Sequence, residues 1–534
     1  MGVDHLELSS LQILGIFVVS VICGLGSVID AFQTHRPLIA CTLAGLVLGD
    51  VTTGAVLGGT LEMMVLGWNG VDTGKSMETA TLALTASLIV IGAGQSLGTG
   101  IAAALPLAAA AQVLVIFCRI FNVFFQHVAD SFADDASISG VTLCHVGALL
   151  LGVMRVAVPV TLVAIYLRTD TVQVLLASIP SVVSTGLTAA AGFTAAAGFA
   201  LALRRFATRD VLAFFVPGFV VAAFSDLTLL SVALLAFAVA LVYVSLQPKP
   251  SDAKPLMQDV PADTKGKLGS GDLFRMFIRA HFLQGSWNAE RLQGLGFCFA
   301  LAPALKRFAE GDALKEALHR NLDLYASQPY LASISLGAAA AAEEQRAVGR
   351  IDGQTAVSTR AALMVPLAGI GEPLFWGLLR PLLAVSCASI ALGGSIWGPV
   401  FFFVIFNVIR LAVLWFGLRF SYAGGLNMLS RLTSEGLRRF TSGISAAALI
   451  IYGAAAYRWT TLTLGWNVAQ LQDEKGAVVT TTLQSIFDQI MPGTLPLTLI
   501  FLCLFALRRR VNSAMLAVIL LVCGLLGAAV GFWH

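Results

Sequence analysis

Residues 368–382 read AGIGEPLFWGLLRPL, which sets a glutamate, two prolines and an arginine between the apolar flanks MVPL (364–367) and LAVSCASIALGG (383–394). The flanks are suited to lipid. A carboxylate at the centre of a membrane helix costs about 2.5 to 3.5 kcal/mol on insertion scales, so Glu372 is expected to face a partner or a watery cavity.

Working outward, the whole chain has the same character. Of its 534 residues 57% are hydrophobic and 12% charged, and the mean hydropathy is +0.85. That composition excludes an ordinary soluble domain and predicts an integral membrane protein. Apolar runs such as residues 82–93, 211–224, 401–409 and 515–533 recur along it. At about 20 residues per span they predict on the order of a dozen membrane helices, several broken by Gly or Pro. The net charge of +3 is small and the basic residues sit at span ends, which argues against nucleic acid as a partner. The N-terminus shows no basic region followed by a cleavage site, so the first span is expected to stay. The eight cysteines lie in or beside apolar segments without a C-x-x-C pair, and read as small core residues rather than a disulfide framework or a zinc site.

One segment breaks the pattern. Residues 247–271, QPKPSDAKPLMQDVPADTKGKLGSG, read as a flexible linker between a first unit (1–246) and a second (272–534). Its lysines, with Arg204, Arg205 and Arg209, place it on the cytosolic side, and the Arg508–Arg510 cluster is expected there too. In GDALKEALHRNLDLYASQ (311–328), Leu314, Leu318, Leu322 and Tyr325 recur at helical spacing and predict an amphipathic helix at the membrane surface or against the bundle. EEQRAVGRIDG (343–353) reads as a solvated turn.

The first unit echoes the opening stretch. GGTLEMMVLGWNGVDTG (58–74) carries Glu62, Trp68, Asn69 and Asp72 in a glycine-punctuated apolar run, as the second unit carries Glu372 and Trp376. Broken segments in corresponding positions of two halves point to a transporter binding site near the membrane midplane. Taken singly, Glu372 could pair with Arg380, and Glu62 could cap a broken helix. Together, carboxylates, amides and indoles form the inventory that binds sugar hydroxyls and a pyranose face, although an ion or amino-acid site uses similar groups. Gln95, on the glycine-rich break 92–100, is either a substrate amide or helix-packing glue. Gln284, Trp287 and Asn288 precede an apolar segment, where a Trp often anchors the interface. His35 and Arg36 sit at a helix end before Pro37, with His35 also open to a proton-carrying or phosphate-accepting role.

These residues lie in longer motifs. FQTHRPLIACTLAGLVLGD (32–50) and GGTLEMMVLGW (58–68) closely resemble the C subunit of the mannose-type (mannose-fructose-sorbose) family of the sugar phosphotransferase system. FLQGSWNAERLQGLGFCFALAPAL (282–305), EEQRAVG, PLAGIGEPLFWG, FNVIRLA and DQIMPGTLPL closely resemble its D subunit. The resemblance implies an all-α integral membrane protein of two helical bundles with broken membrane helices and approximate inverted pseudo-symmetry. It also implies C and D subunits fused in one chain, assembled as a homotrimer in the bacterial cytoplasmic (inner) membrane. A sugar would be bound between the halves by Glu62, Asn69, Gln95, Gln284, Trp287, Asn288, Glu372 and Trp376, and imported as a separate B subunit phosphorylates it. The phosphate would come through soluble A and B subunits, and no cofactor or metal is implied. Where D subunits commonly carry an aspartate in a G-D-P motif, this chain has Glu372. The competing reading of the buried acids is an ion-coupled secondary transporter of a small polar solute.

Overall fold

The computed structural model describes residues 8–65, 78–166, 211–227, 229–247, 268–424, 435–460, 467–472, 478–509, 511 and 513–530, with a few helical positions between 193 and 204. In the first unit these residues form α1 (Ser10–Ile29), α2 (Pro37–Leu48), α3 (Val51–Val65), α4 (Thr79–Ser87), α5 (Leu97–Asp134), α6 (Ile138–Tyr166), α7 (Phe215–Phe224) and α8 (Leu229–Leu246). The second unit holds α9 (Ser270–Ala280), α10 (Gly294–Phe308), α11 (Gly311–Leu322), α12 (Ala332–Ala347), α13 (Gly353–Gly371), α14 (Arg380–Leu392), α15 (Trp397–Gly424) and α16 (Glu435–Trp459). It ends with α17 (Leu483–Ile490), α18 (Thr494–Arg508) and α19 (Ser513–Ala529). The fold is helical, apart from a small antiparallel hairpin, Asn467–Gln472 with Val478–Thr482. The β-branched run VVTTT favours that pairing.

Among the described residues, five helical stretches are long and apolar enough to cross a membrane: Ser10–Ile29, Leu97–Asp134, Ile138–Tyr166, Gly353–Leu392 and Trp397–Gly424. Shorter apolar helices, including α2, α3 and α7, lie between them. The chain is a multi-pass membrane protein.

Two local features position the polar groups discussed below. α2 and α3 form a tight hairpin because glycines face each other: a methyl on Gly54 would sit 3.0 Å from the Gly45 Cα, and one on Gly58 would sit 2.8 Å from the Pro37 carbonyl. Gly49 turns the chain with φ +95, a conformation that glycine reaches without a Cβ penalty. In the second unit, α13 runs into a π-helix, Glu372–Leu379, before continuing as α14. Pro373 and Pro381 each remove an amide donor at the start of a segment, and the wider π turn absorbs the lost bonds. The first unit has its own π-helix at Leu88–Gly92.

The two units do not pack as separate bodies. One hydrophobic core joins Leu38, Phe215 and Phe219 of the first unit to Ala388, Ile450 and Leu504 of the second. A second joins Ala129, Val141 and Cys144 to Leu295, Leu318 and Leu414. α7 crosses α16 so closely that a methyl on Gly218 or Gly453 would strike the backbone carbonyl of Ile450 or Phe215 respectively.

Two segments differ from the sequence-based expectations. Leu268, assigned to the linker, is already buried and its amide donates to the Tyr422 hydroxyl (3.1 Å), so packed structure begins before residue 272; residues 248–267 lie outside the described set. EEQRAVGRIDG is not solvated throughout. Glu343 and Glu344 are 5% and 6% exposed on the last turns of α12, held by Arg320 and by the Tyr422 hydroxyl (2.6 Å). Paired charges tolerate burial that lone ones do not. α11 is amphipathic as expected but stops at Leu322, and Tyr325 is buried beyond it in a bridged loop.

Candidate functional site

The richest polar constellation lies where the α1–α2 connection meets the second unit. Asp30 ends α1 in a left-handed conformation (φ 48), and Gln33 follows at φ 61. That turn directs the short segment 30–36 into the second unit. The Asp30 carboxylate accepts from Arg380 Nη2 at 2.8 and 2.7 Å, and its backbone carbonyl accepts from the Tyr330 hydroxyl at 2.5 Å. Gln33 Nε2 donates to the Tyr330 oxygen (3.0 Å), as does Arg380 (3.2 Å). The Tyr330 ring packs edge-on against Phe375 of the π-helix and against Phe406. Beside it, Asn407 donates to the Phe32 carbonyl (3.1 Å), and the Arg410 guanidinium lies 4.7 Å over the Phe32 ring.

Around this cluster several buried polar atoms have no hydrogen-bond partner among the described residues: Gln33 Oε1, His35 Nδ1, Gln328 Nε2, Trp376 Nε1, Arg380 Nε and both terminal nitrogens of Arg410. They come from both units. Buried polar groups in native proteins are nearly always satisfied by protein, water or ligand, so donors and acceptors concentrated at one boundary mark a place for a polar occupant.

Glu62 is placed differently from Glu372. Its side chain is fully buried, and one oxygen accepts from both Nε and Nη2 of Arg36. The other accepts from the Leu38 amide at 3.2 Å. Arg36 is the N-cap residue of α2 and makes no side-chain cap of its own, so Glu62 supplies the negative charge that the α2 N-terminus favours. These contacts match the capping role that the sequence offered for Glu62. Glu372 is half-buried on the first turn of the π-helix, and Arg380, its suggested partner, is taken by Asp30 instead.

The chain matches two family models. Residues 10–242 match the one described as "PTS system sorbose-specific iic component", and residues 267–533 the one described as "PTS system mannose/fructose/sorbose family IID component". The chain belongs to this phosphotransferase family. It carries both membrane components in one polypeptide. The mannose-specific EIID component of Escherichia coli (strain K12) is 40% identical over 50% of this chain and 96% of its own length. The Fructose permease IID component of Bacillus subtilis (strain 168) is 40% identical over 50% and 98%. The sorbose-specific EIIC component of Klebsiella pneumoniae is 43% identical over 48% and 97%. The resemblance read from the motifs is therefore correct, as is the assignment to a sugar phosphotransferase system. Relatives named for mannose and for fructose match the second unit at equal identity, so similarity selects no sugar.

In this fused carrier the expected site residues fall into separate places. Trp376 borders the Arg380–Tyr330 cluster, with Arg380 5.7 Å over its ring and its indole nitrogen unpartnered. Asn288 is fully buried and spent on its own loop and on Gln126, accepting from the Glu290 and Arg291 amides at 3.1 and 2.8 Å. Trp287 lies under Arg119 at 4.6 Å, a contact between units rather than a membrane-surface anchor alone. Gln284 is half-buried in the same loop. Gln95 follows the first π-helix, and its Nε2 donates to the Ala93 carbonyl at 3.5 Å. Asn69, with Trp68 and Asp72, lies outside the described residues. Asp30, Gln33, Gln328, Tyr330 and Arg410 were missed. Gln33 and Arg410 stood inside quoted family motifs, but nothing in their spacing pairs them with residues some 300 positions away.

Proposed function

We propose that this protein holds its sugar at the boundary between the units, beside the π-helix 372–379, during import coupled to phosphorylation by a separate B subunit. The observation that supports this is the set of unpartnered buried donors and acceptors contributed by both units around Tyr330 and Arg380. Sugars need such a mixed inventory together with an aromatic face, and Trp376 and Phe375 border the cluster. Glu372 supplies an acceptor on the same π turn. Glu62 acts at one remove, by fixing Arg36 and the start of α2. Because a polar carrier must release its cargo, Arg380 exchanging between Asp30 and a sugar hydroxyl is the motion this arrangement favours.

The phosphoryl group arrives from soluble A and B subunits, and the chain works as the conduit. As in the family, we place it in the bacterial inner membrane as a homotrimer of fused C–D chains. Sizing of the detergent-purified protein by mass photometry tests the trimer. For the site, binding of labelled hexoses and hexitols to purified protein identifies the sugar. Tyr330→Phe and Gln33→Leu should then each weaken it about five- to tenfold, the worth of one neutral hydrogen bond. Unchanged affinity in both would move the site elsewhere.

A further inference from the structure

A second group of buried polar atoms without partners lies wholly within the second unit, away from the Asp30 cluster. Arg360, two turns into α13, is 3% exposed, and its Nε and Nη1 have no partner among the described residues. Its guanidinium lies over the Phe297 ring at 5.7 Å, and Phe297 packs on Tyr325 at 4.2 Å. The loop bearing Tyr325 rests on the same face of α13, since the Ala326 amide donates to Met364 Sδ at 3.4 Å. The backbone of that loop is tied down: the Tyr325 carbonyl accepts from the Gln293 amide (2.9 Å), and the Gln293 side chain clamps both backbone groups of Ser327 at 3.0 Å. Its side-chain hydroxyls are not. Tyr325, Ser327 and Ser335 are each less than a tenth exposed, and the Tyr325 hydroxyl lies beside the two serine hydroxyls and Arg360, although none of the three oxygens makes a hydrogen bond of full geometry among the described residues.

Water could satisfy hydroxyls, but it does not neutralise a buried guanidinium. Charges removed from solvent are normally paired. Of the acids near Arg360, Asp323 is exposed at the end of α11 and makes no ion pair with it, and Glu343 is already engaged by Arg320 at 2.8 and 2.6 Å and by Asn321 at 2.8 Å. Burial pushes the Tyr325 phenol up to about 12, so it stays protonated and able to donate. Ser335 adds the first turn of α12, whose N-terminus favours negative charge. The position is shallow: Arg360 lies eight residues, about 12 Å of helix, from the exposed N-cap Asp352.

The geometry points to an oxyanion site formed by Arg360, Tyr325, Ser327 and Ser335, with a donor set suited to a phosphate group, whether free or borne by a phosphomonoester. It shares no residue with the sugar site proposed above, although its Ser327 adjoins Gln328 of that cluster. Protein in lipid nanodiscs, titrated with inorganic phosphate and separately with mannose 6-phosphate, and with chloride as control, tests it. The expected result is saturable binding of at least one phosphate probe, weakened about tenfold or more by Arg360→Gln, as for loss of a charge-assisted pair, and less by Tyr325→Phe. Arg360→Lys should retain part of the binding. Tighter binding of the sugar phosphate than of inorganic phosphate assigns the site to a phosphomonoester, and equal binding assigns it to free phosphate. Sugar affinity should be unchanged in all three variants. Should wild type bind neither probe, or bind them as tightly with Arg360→Gln and Tyr325→Phe as without, the group is a water-filled structural cluster and the assignment fails.

Discussion

Among the described residues, two groups of ion pairs join the units, and both use aspartates of the first against bases of the second. At the inner one, Asp30 meets Arg380 with side chains 16% and 4% exposed. At the outer one, near the end of α5, Asp130 meets Arg291 (2.7 Å), a pair still partly buried, and beyond it Asp134 meets Lys315 and His319 in the open. His127 adds a contact to Glu290 at 3.1 Å. The chemistry is alike but the surroundings differ. The Asp134 pairs, standing in water, lose little when broken, because solvent replaces the partner. At the inner site a stranded charge has no such replacement, and the surrounding unpartnered atoms make the cluster a place for a ligand rather than only a fastening.

The largest expected effect follows from that burial. Asp30→Asn leaves Arg380 without its counter-charge and should cost about 3 to 5 kcal/mol of stability, read as a lowered Tm and as reduced copurification of residues 1–246 and 268–534 expressed separately. Wild-type copurification would mean that the apolar cores alone hold the units together. Glu62→Gln should behave similarly in thermal stability, since it strands Arg36; loss of sugar binding with full stability would restore Glu62 as a direct ligand. Gly453→Val tests the apolar seam in the same assay, at about 1 to 3 kcal/mol for an overpacked crossing. Asp134→Asn should lower Tm the least of these variants, and added salt should erase the difference. If it instead matches Asp30→Asn, burial is not what separates the two contacts.

The membrane class and the family were legible from composition and motif order, because lipid demands long apolar segments and the family's motifs are long and ordered. The break around Glu372 was legible as well, since Pro373 and Pro381 cannot donate to a regular ladder. Helix periodicity located α11, but it overran Leu322 by carrying the pattern on to Tyr325, whose burial comes from a bridged loop instead. Which charges would be sealed was not legible: EEQ in 343–345 looks solvated until Arg320 and Tyr422 are brought to it.

The sequence by itself determined that buried acids and amides had to be matched, because hydrocarbon offers them no solvation. Only the tertiary structure decided with what. Glu62 finds Arg36 across one tight glycine hairpin, within reach of local reasoning. Arg380 passes over nearby Glu372 and takes Asp30, 350 positions earlier, because the left-handed turn at Asp30 and Gln33 carries that segment into the second unit. Partners so distant in the chain are chosen by how helices cross, and crossing depends on the joint packing of many side chains that no single stretch encodes.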